Sequence, residues 1–110
     1  MKNFVQEGDV ITLTAPYAVA SGAGLLVGSI FGVAQTTAAI STSVEAALEG
    51  VFDLVKLAGT AWTQGVLIYW DNTAKNCTVI ATANRLIGAA TVAALAGDVV
   101  GRVYVDGAVR

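Results

Sequence analysis

Short runs in which apolar and polar residues alternate recur along the chain, separated by glycine and small polar residues. The clearest runs cover residues 9–14, 51–56 and 99–105. Alternation with a period of two is typical of a β-strand with one buried face. Further strand-like runs, less regular in their alternation, cover residues 25–28, 30–34, 44–49, 65–70, 77–82 and 85–90.

Turn residues interrupt these runs so often that no long crossover helix fits between them, which favours antiparallel strands. The sequence therefore predicts an all-β fold, a small single-domain β-barrel or β-sandwich of short antiparallel strands. One short helix is predicted at residues 57–64, because Ala58, Ala61 and Trp62 suit a helix and Gly65 stands where helices commonly end. The 110 residues make one domain by size, divided into an N-terminal arm at residues 1–8 and a β domain at residues 9–110.

The stretch at residues 65–72 contains the largest side chains of any predicted strand. It ends in the turn residues Asp71 and Asn72 and is followed by a second apolar run, which together predict a β-hairpin. Tyr69 and Trp70 are then expected on opposite faces of the strand. One ring would fill the core and the other would face solvent or a partner, and the pattern leaves open which does which.

The charge balance argues against nucleic acid as a partner. Six Lys and Arg residues stand against eight Asp and Glu residues, a net charge of −2, and no cluster of cations is present to bind phosphate. Charged residues make up only 13% of the chain, against about a quarter in typical domains. A surface so poor in charge favours extensive contact with other proteins.

The distribution of charge along the chain also requires a membrane-spanning segment to be considered. No charged residue lies between Asp9 and Glu45, and Gly24, Gly28 and Gly32 have the spacing of packed transmembrane helices. Proline, serine and these glycines interrupt the run, however, and no pair of basic residues or aromatic belt brackets it. The sequence therefore predicts no membrane segment.

The residue types that carry most cofactor and metal chemistry are missing. The chain has no histidine and a single cysteine, Cys77, so it lacks a Ser-His-Asp triad, a zinc site and an internal disulfide. No phosphate-binding Gly-Lys-Ser/Thr loop is present. We therefore predict no catalytic residue, no cofactor and no metal, and we expect Cys77 to act as a small buried apolar residue.

Paired carboxylates are the one catalytic alternative that remains. It requires two acidic side chains within about 10 Å across a cleft, chosen from Glu45, Glu49, Asp53 and Asp71. The simpler interpretation is that these side chains are solvated. Asp53 shares a strand face with Val51 and Val55 and is expected to be half-buried beside a basic partner, for which the candidates are Lys56, Arg85 and Arg102.

Several segments, taken in order, resemble a known family. They are residues 3–16, 27–28, 31–34, 49–52, 65–71, 86–88 and 103–105, and include Glu-Gly-Asp-Val-Ile-Thr-Leu and Gly-Val-Leu-Ile-Tyr-Trp-Asp. Together they are similar to the DUF2190 family of capsid cement, or decoration, proteins of tailed bacteriophages. The chain departs from the family pattern at Val55-Lys56, where a proline-like position is expected, and in the loop at residues 17–24.

The resemblance implies a non-enzymatic protein made in the bacterial host cytoplasm and placed on the outer surface of the phage head. It would bind the major capsid protein as a homo-oligomer, a trimer, and stabilise the expanded shell. We expect the arm to contact a neighbour, and the candidate interface residues are Phe4, Val5, Tyr17, Tyr69 and Trp70. The alternative is a small ligand- or carbohydrate-binding β-module in which Trp62, Tyr69 and Trp70 form an exposed aromatic platform.

Overall fold

The computed structural model describes residues 10–107, which form nine strands and no helix. Within those residues, no helix is long and apolar enough to cross a membrane. The strands, in chain order, are β1 (Val10–Thr14), β2 (Gly24–Val27), β3 (Ile30–Ala34), β4 (Ser43–Ala47), β5 (Glu49–Val55), β6 (Leu67–Asp71), β7 (Asn76–Thr78), β8 (Arg85–Ala90) and β9 (Val100–Asp106).

The strands form two antiparallel sheets. One has the order β1-β4-β3-β2 and the other the order β5-β9-β8-β6-β7. Only Leu48 separates β4 from β5, so one extended path of chain joins the two sheets. The five-stranded sheet curls into a half-barrel. A bridge between Lys56 and Cys77 joins the end of β5 to β7, the strand at the opposite edge of the sheet. The all-β prediction is confirmed.

The helix predicted at residues 57–64 is wrong. Trp62 is instead extended and forms a bridge with Ala94 in the loop before β9. The Trp62 side chain is only 2% exposed, so its burial fixes the backbone of this loop. Gly59 has φ +106°, a conformation that a right-handed helix does not contain. An eight-residue helix has little stability of its own, and tertiary contacts therefore decide this segment.

The predicted hairpin is present, although its second strand is shorter than expected. Strand β6 pairs with β7 from Tyr69 opposite Thr78 to Asp71 opposite Asn76. The Asp71 Oδ1 atom closes the turn by accepting hydrogen bonds from the backbone N–H groups of Thr73 at 2.9 Å and Ala74 at 3.1 Å. The two aromatic rings lie on opposite faces as predicted, with Trp70 buried and Tyr69 half-buried.

Trp70 joins the two sheets. Its ring packs against Phe31 of β3, with 5.1 Å between ring centroids and 53° between the ring planes. Both belong to a core cluster that contains buried residues from strands of each sheet, including Val33 on one side and Ile68 and Val103 on the other. A tilted aromatic pair of this kind adds to the energy of burial.

Cys77 lies in this core and is fully buried, as expected for a small apolar residue. Burial raises the pKa of its thiol to about 12. The folded chain therefore holds this proton more tightly than the unfolded chain, whose cysteine ionises near pH 8.5. The resulting contribution to stability is complete below about pH 8.5 and is lost as the pH rises toward the folded-state value.

We therefore expect Cys77 to react with a thiol reagent at pH 8 about a thousandfold more slowly in the native protein than in denaturant, because the thiolate is the reactive form. Absorbance of a released chromophore measures this rate. The unfolded chain in urea serves as the fully reactive control. Rapid labelling without denaturant would show that the core around β7 is open.

Candidate functional site

Two of the predicted interface residues, Tyr17 and Trp70, converge on the side chain of Asn72. The Asn72 Oδ1 atom accepts hydrogen bonds from the Tyr17 hydroxyl at 3.2 Å and from the Trp70 Nε1–H at 3.1 Å. The Tyr17 hydroxyl also accepts a hydrogen bond from the Leu26 backbone N–H at 3.3 Å. Partial burial raises the pKa of Tyr17. This network ties the hairpin turn to the loop before β2 and is a structural arrangement.

An open cleft of about 460 Å³ lies beside this network, and its lining includes Tyr69, Asn72 and Asn84. The aromatic platform of the carbohydrate-binding alternative is not formed there. Trp62 and Trp70 are 2% and 3% exposed, so only Tyr69 of the three rings has appreciable surface. Phe4 and Val5, the other predicted interface residues, lie outside the described part of the chain.

Three of the four carboxylates considered as catalytic candidates, Glu45, Asp53 and Asp71, have local partners. Asp53 forms a two-point ion pair with Arg102, with Nε–Oδ1 at 2.9 Å and Nη2–Oδ2 at 3.2 Å. Glu45 accepts a hydrogen bond from the Thr12 hydroxyl at 2.6 Å, and Asp71 closes its own turn. Among the described residues, no group of three His, Cys, Asp or Glu side chains is placed to hold a metal ion.

The expectation for Asp53 is therefore half right. Arg102, one of its three candidate partners, is confirmed, and hydrogen bonding to Arg102 lowers the pKa of Asp53. The expected half-burial is wrong, because the two side chains are 54% and 52% exposed and lie on the outer face of the five-stranded sheet. An exposed pair of this kind contributes little to folding.

Sequence reasoning missed a set of exposed apolar side chains in the loops that follow β5 and precede β9. We call it the apolar tip, and it comprises Leu57, Val92, Leu95 and Val99. Leu95 is 74% exposed and Val99 is 62% exposed, the two highest values among the exposed large apolar side chains. The nearby Asp98 carboxylate accepts a hydrogen bond from the Leu95 backbone N–H at 2.9 Å and so stabilises this loop.

The two loops of the apolar tip are fastened to each other by backbone hydrogen bonds. The Lys56 N–H donates to the Val99 carbonyl at 2.8 Å, and the Gly59 N–H donates to the Ala96 carbonyl at 2.6 Å. Trp62 and Ala94 exchange two further bonds of 2.9 and 3.1 Å. The exposed leucine and valine side chains therefore project from a fixed backbone.

Lys56 lies underneath these loops and is only 2% exposed. Its Nζ atom donates hydrogen bonds to the carbonyls of Leu57 at 3.1 Å and Asp98 at 3.3 Å, and lies 5.6 Å from the centroid of the Trp62 ring. A lysine in a strand ordinarily faces water. The sequence contains one signal of this burial: the alternation of the strand places Lys56 on the same face as the buried Leu54.

Gly101 completes this support, because a Cβ atom at that position would collide with the ring of Trp62. We expect Gly101→Ala to displace the ring and lower the free energy of unfolding by about 1–3 kcal/mol, the usual cost of overpacking. Gly97→Ala is the matched control, since no atom lies within 4 Å of its added Cβ. Urea denaturation followed by tryptophan fluorescence measures both, and equal stability would contradict the packing described.

The exposed side chains of the apolar tip offer apolar area for contact with a partner. Fully burying one leucine or valine side chain contributes about 1.5–3 kcal/mol. Four such exposed side chains, on loops joined by backbone hydrogen bonds, therefore offer apolar area whose burial against a partner would be favourable.

Comparison with known proteins agrees with this character. The model of the phage cement protein family matches residues 5–105, which is nearly the whole chain. Searches of curated proteins and of solved structures give no match. Since the match covers most of the chain, including eight of the nine described strands in full and β9 up to Val105, the chain belongs to the phage cement protein family.

Proposed function

We propose that this protein is a structural decoration protein of the phage head. It binds the outside of the shell, bridges neighbouring major capsid protein subunits and stabilises the expanded shell. It acts without enzymatic activity or cofactor, and without nucleic acid or a membrane as partner. The match to the cement protein family over residues 5–105 is the observation that carries this proposal.

The apolar tip is the surface we assign to the major capsid protein. Interface centres are depleted in charge and rich in apolar side chains, and the tip has this composition. Its fixed backbone limits the entropy that binding would cost. Because many copies act on one shell, each contact need only be modest for the shell as a whole to gain stability.

The arm at residues 1–8 is the second proposed contact, with Phe4 and Val5 as its anchors. Tyr17 and Tyr69, beside the cleft, remain proposed interface residues. Trp70 has 3% of its surface exposed, which leaves it a supporting role beneath such an interface. We propose a homo-oligomer on the head, a trimer at threefold positions, in a protein made in the host cytoplasm and incorporated into the virion.

Purified heads with and without the protein test the function directly. Heads that carry it should survive higher temperature or longer exposure to chelator before they release DNA. Adding the purified protein back to heads that lack it should restore the difference. Equal survival would remove the cement function and leave a display or adhesion role.

Deletion of residues 2–7 tests the arm. We expect binding to heads to be lost, while the circular dichroism of the free domain stays unchanged because the nine described strands begin at Val10. Co-sedimentation with heads measures the binding. Unimpaired sedimentation of the shortened protein would remove the arm from the interface.

A further inference from the structure

The outer face of β5 and β9 carries an ordered set of exposed side chains. Three cross-strand pairs follow one another along the two strands: Val51 opposite Tyr104, Asp53 opposite Arg102 and Val55 opposite Val100. We call these six residues the outer face. All six are exposed, with exposed fractions between 42% for Tyr104 and 55% for Val55. An ion pair is thus flanked by an apolar pair on either side.

The first apolar pair continues across the sheet. Tyr104 lies opposite Ala89 of β8, and Ala89 lies opposite Leu67 of β6, which is 51% exposed. One apolar row therefore crosses four strands. An exposed sheet face of this composition is unusual for a monomer, because exposed faces of antiparallel sheets are normally polar.

The register of these pairs is self-complementary. Consider a second copy placed face to face by a two-fold axis that runs between β5 and β9, parallel to both strands. Such an axis places β5 of the second copy over β9 of the first, and β9 of the second copy over β5 of the first. Each residue therefore faces, in the second copy, the residue type that it pairs with across the strands of its own chain. Asp53 then faces Arg102 of the second copy, Val51 faces Tyr104, and Val55 faces Val100.

From this match we propose that the outer face pairs two copies of this chain about a two-fold axis. A copy of the same chain supplies an opposite charge to both Asp53 and Arg102, as an isologous interface requires. A partner surface with only one sign of charge would place a like charge against either Asp53 or Arg102, which is costly. The proposal does not depend on the cement function, since the pairing is a property of the free protein.

The size of the face sets the expected strength. Strands β5 and β9 have seven residues each, so their shared face is about 23 Å long and about 10 Å wide, a footprint of roughly 230 Å² per copy before Ala89 and Leu67 are added. Standard stable interfaces bury about 800 Å² per partner. The pairing is therefore weak in dilute solution and strengthened where copies are held close together on a surface.

Charge reversal gives a decisive test. Asp53→Lys leaves only positive charge at the centre of the outer face, and Arg102→Glu leaves only negative charge. We expect each variant alone to dimerise at least about tenfold more weakly than the wild type. An equimolar mixture should regain dimers, because each introduced charge then faces an opposite charge. Sedimentation equilibrium at high protein concentration measures all three samples.

Cysteine cross-linking tests the same register in a weak complex. A mixture of Val51→Cys and Tyr104→Cys should form a disulfide-linked dimer on mild oxidation, at a yield several times that of Val51→Cys mixed with Ile40→Cys. Ile40 is 61% exposed, more than the 42% of Tyr104 that it replaces in this control, but it lies in the loop before β4. The native Cys77 is buried and does not interfere.

Recovery of dimers in the charge-reversed mixture together with the selective cross-link would establish the pairing. Failure of both would overturn it. Loss of binding to heads in both charge variants, with no dimer in any sample, would also overturn it and would assign the outer face to the capsid instead.

Discussion

Replacing Trp70 by alanine is expected to lower the free energy of unfolding by about 3–5 kcal/mol. The ring is 3% exposed and packs on Phe31, so its removal leaves a cavity where the two sheets meet. The Asn72 side chain also loses the hydrogen bond from the indole N–H. A domain of this size has a total stability of about 5–15 kcal/mol, so the variant loses a large part of it.

Two controls separate packing from hydrogen bonding and from partner contact. Trp70→Phe keeps a ring against Phe31 and loses the indole donor, and should cost about 1 kcal/mol beyond its smaller volume. Tyr69→Ala removes the neighbouring, half-buried ring and should cost about 1 kcal/mol. Urea denaturation followed by circular dichroism measures all three. A Trp70→Ala variant with wild-type stability and lost binding to heads would make Trp70 an interface residue.

Local pattern was sufficient for the strands. The alternation in β9, where Val103 and Val105 are buried while Arg102 and Tyr104 are exposed, is legible in the sequence because one face of that strand packs on the core. The turn at Asp71 was equally predictable, since its carboxylate bonds to the backbone two and three residues ahead. These features depend on near neighbours in sequence.

The apolar tip was not predictable, because it depends on contacts between distant segments. Residues 57–64 contain helix-compatible side chains, and only the bridge between Trp62 and Ala94 makes them extended. Burial of Lys56 depends on two carbonyl groups, one of them at Asp98. A charged residue in a strand is expected to face solvent unless a covering loop is known.

The apolar tip is nevertheless connected directly to the core. Trp62 belongs to the same buried cluster as Trp70, and Gly101 of β9 seats its ring. The tip is therefore joined to β5 and β9, which form the longest ladder among the described residues, from Glu49 to Val55 on β5. If the tip is the attachment point, as we propose, it would connect the partner to the most extensively paired of the described strands.

The second large effect is expected at the tip itself. Leu95→Asp places a carboxylate where we propose that an apolar side chain is buried against the major capsid protein. A hot-spot residue contributes 2 kcal/mol or more, so binding to heads should weaken at least about 30-fold. Folding should be unaffected within about 0.5 kcal/mol, because Leu95 is 74% exposed in the free protein.

Ile40→Asp is the matched control, since Ile40 is 61% exposed and also lies in a loop. That loop precedes β4, whereas the tip follows β5, so the two sites lie at opposite ends of the extended path through both strands. Titration of labelled protein onto heads measures each affinity, and urea denaturation measures each stability. If Ile40→Asp abolishes binding while Leu95→Asp leaves it intact, the capsid meets the opposite end of the molecule, and the rigid loops around Lys56 then serve folding alone.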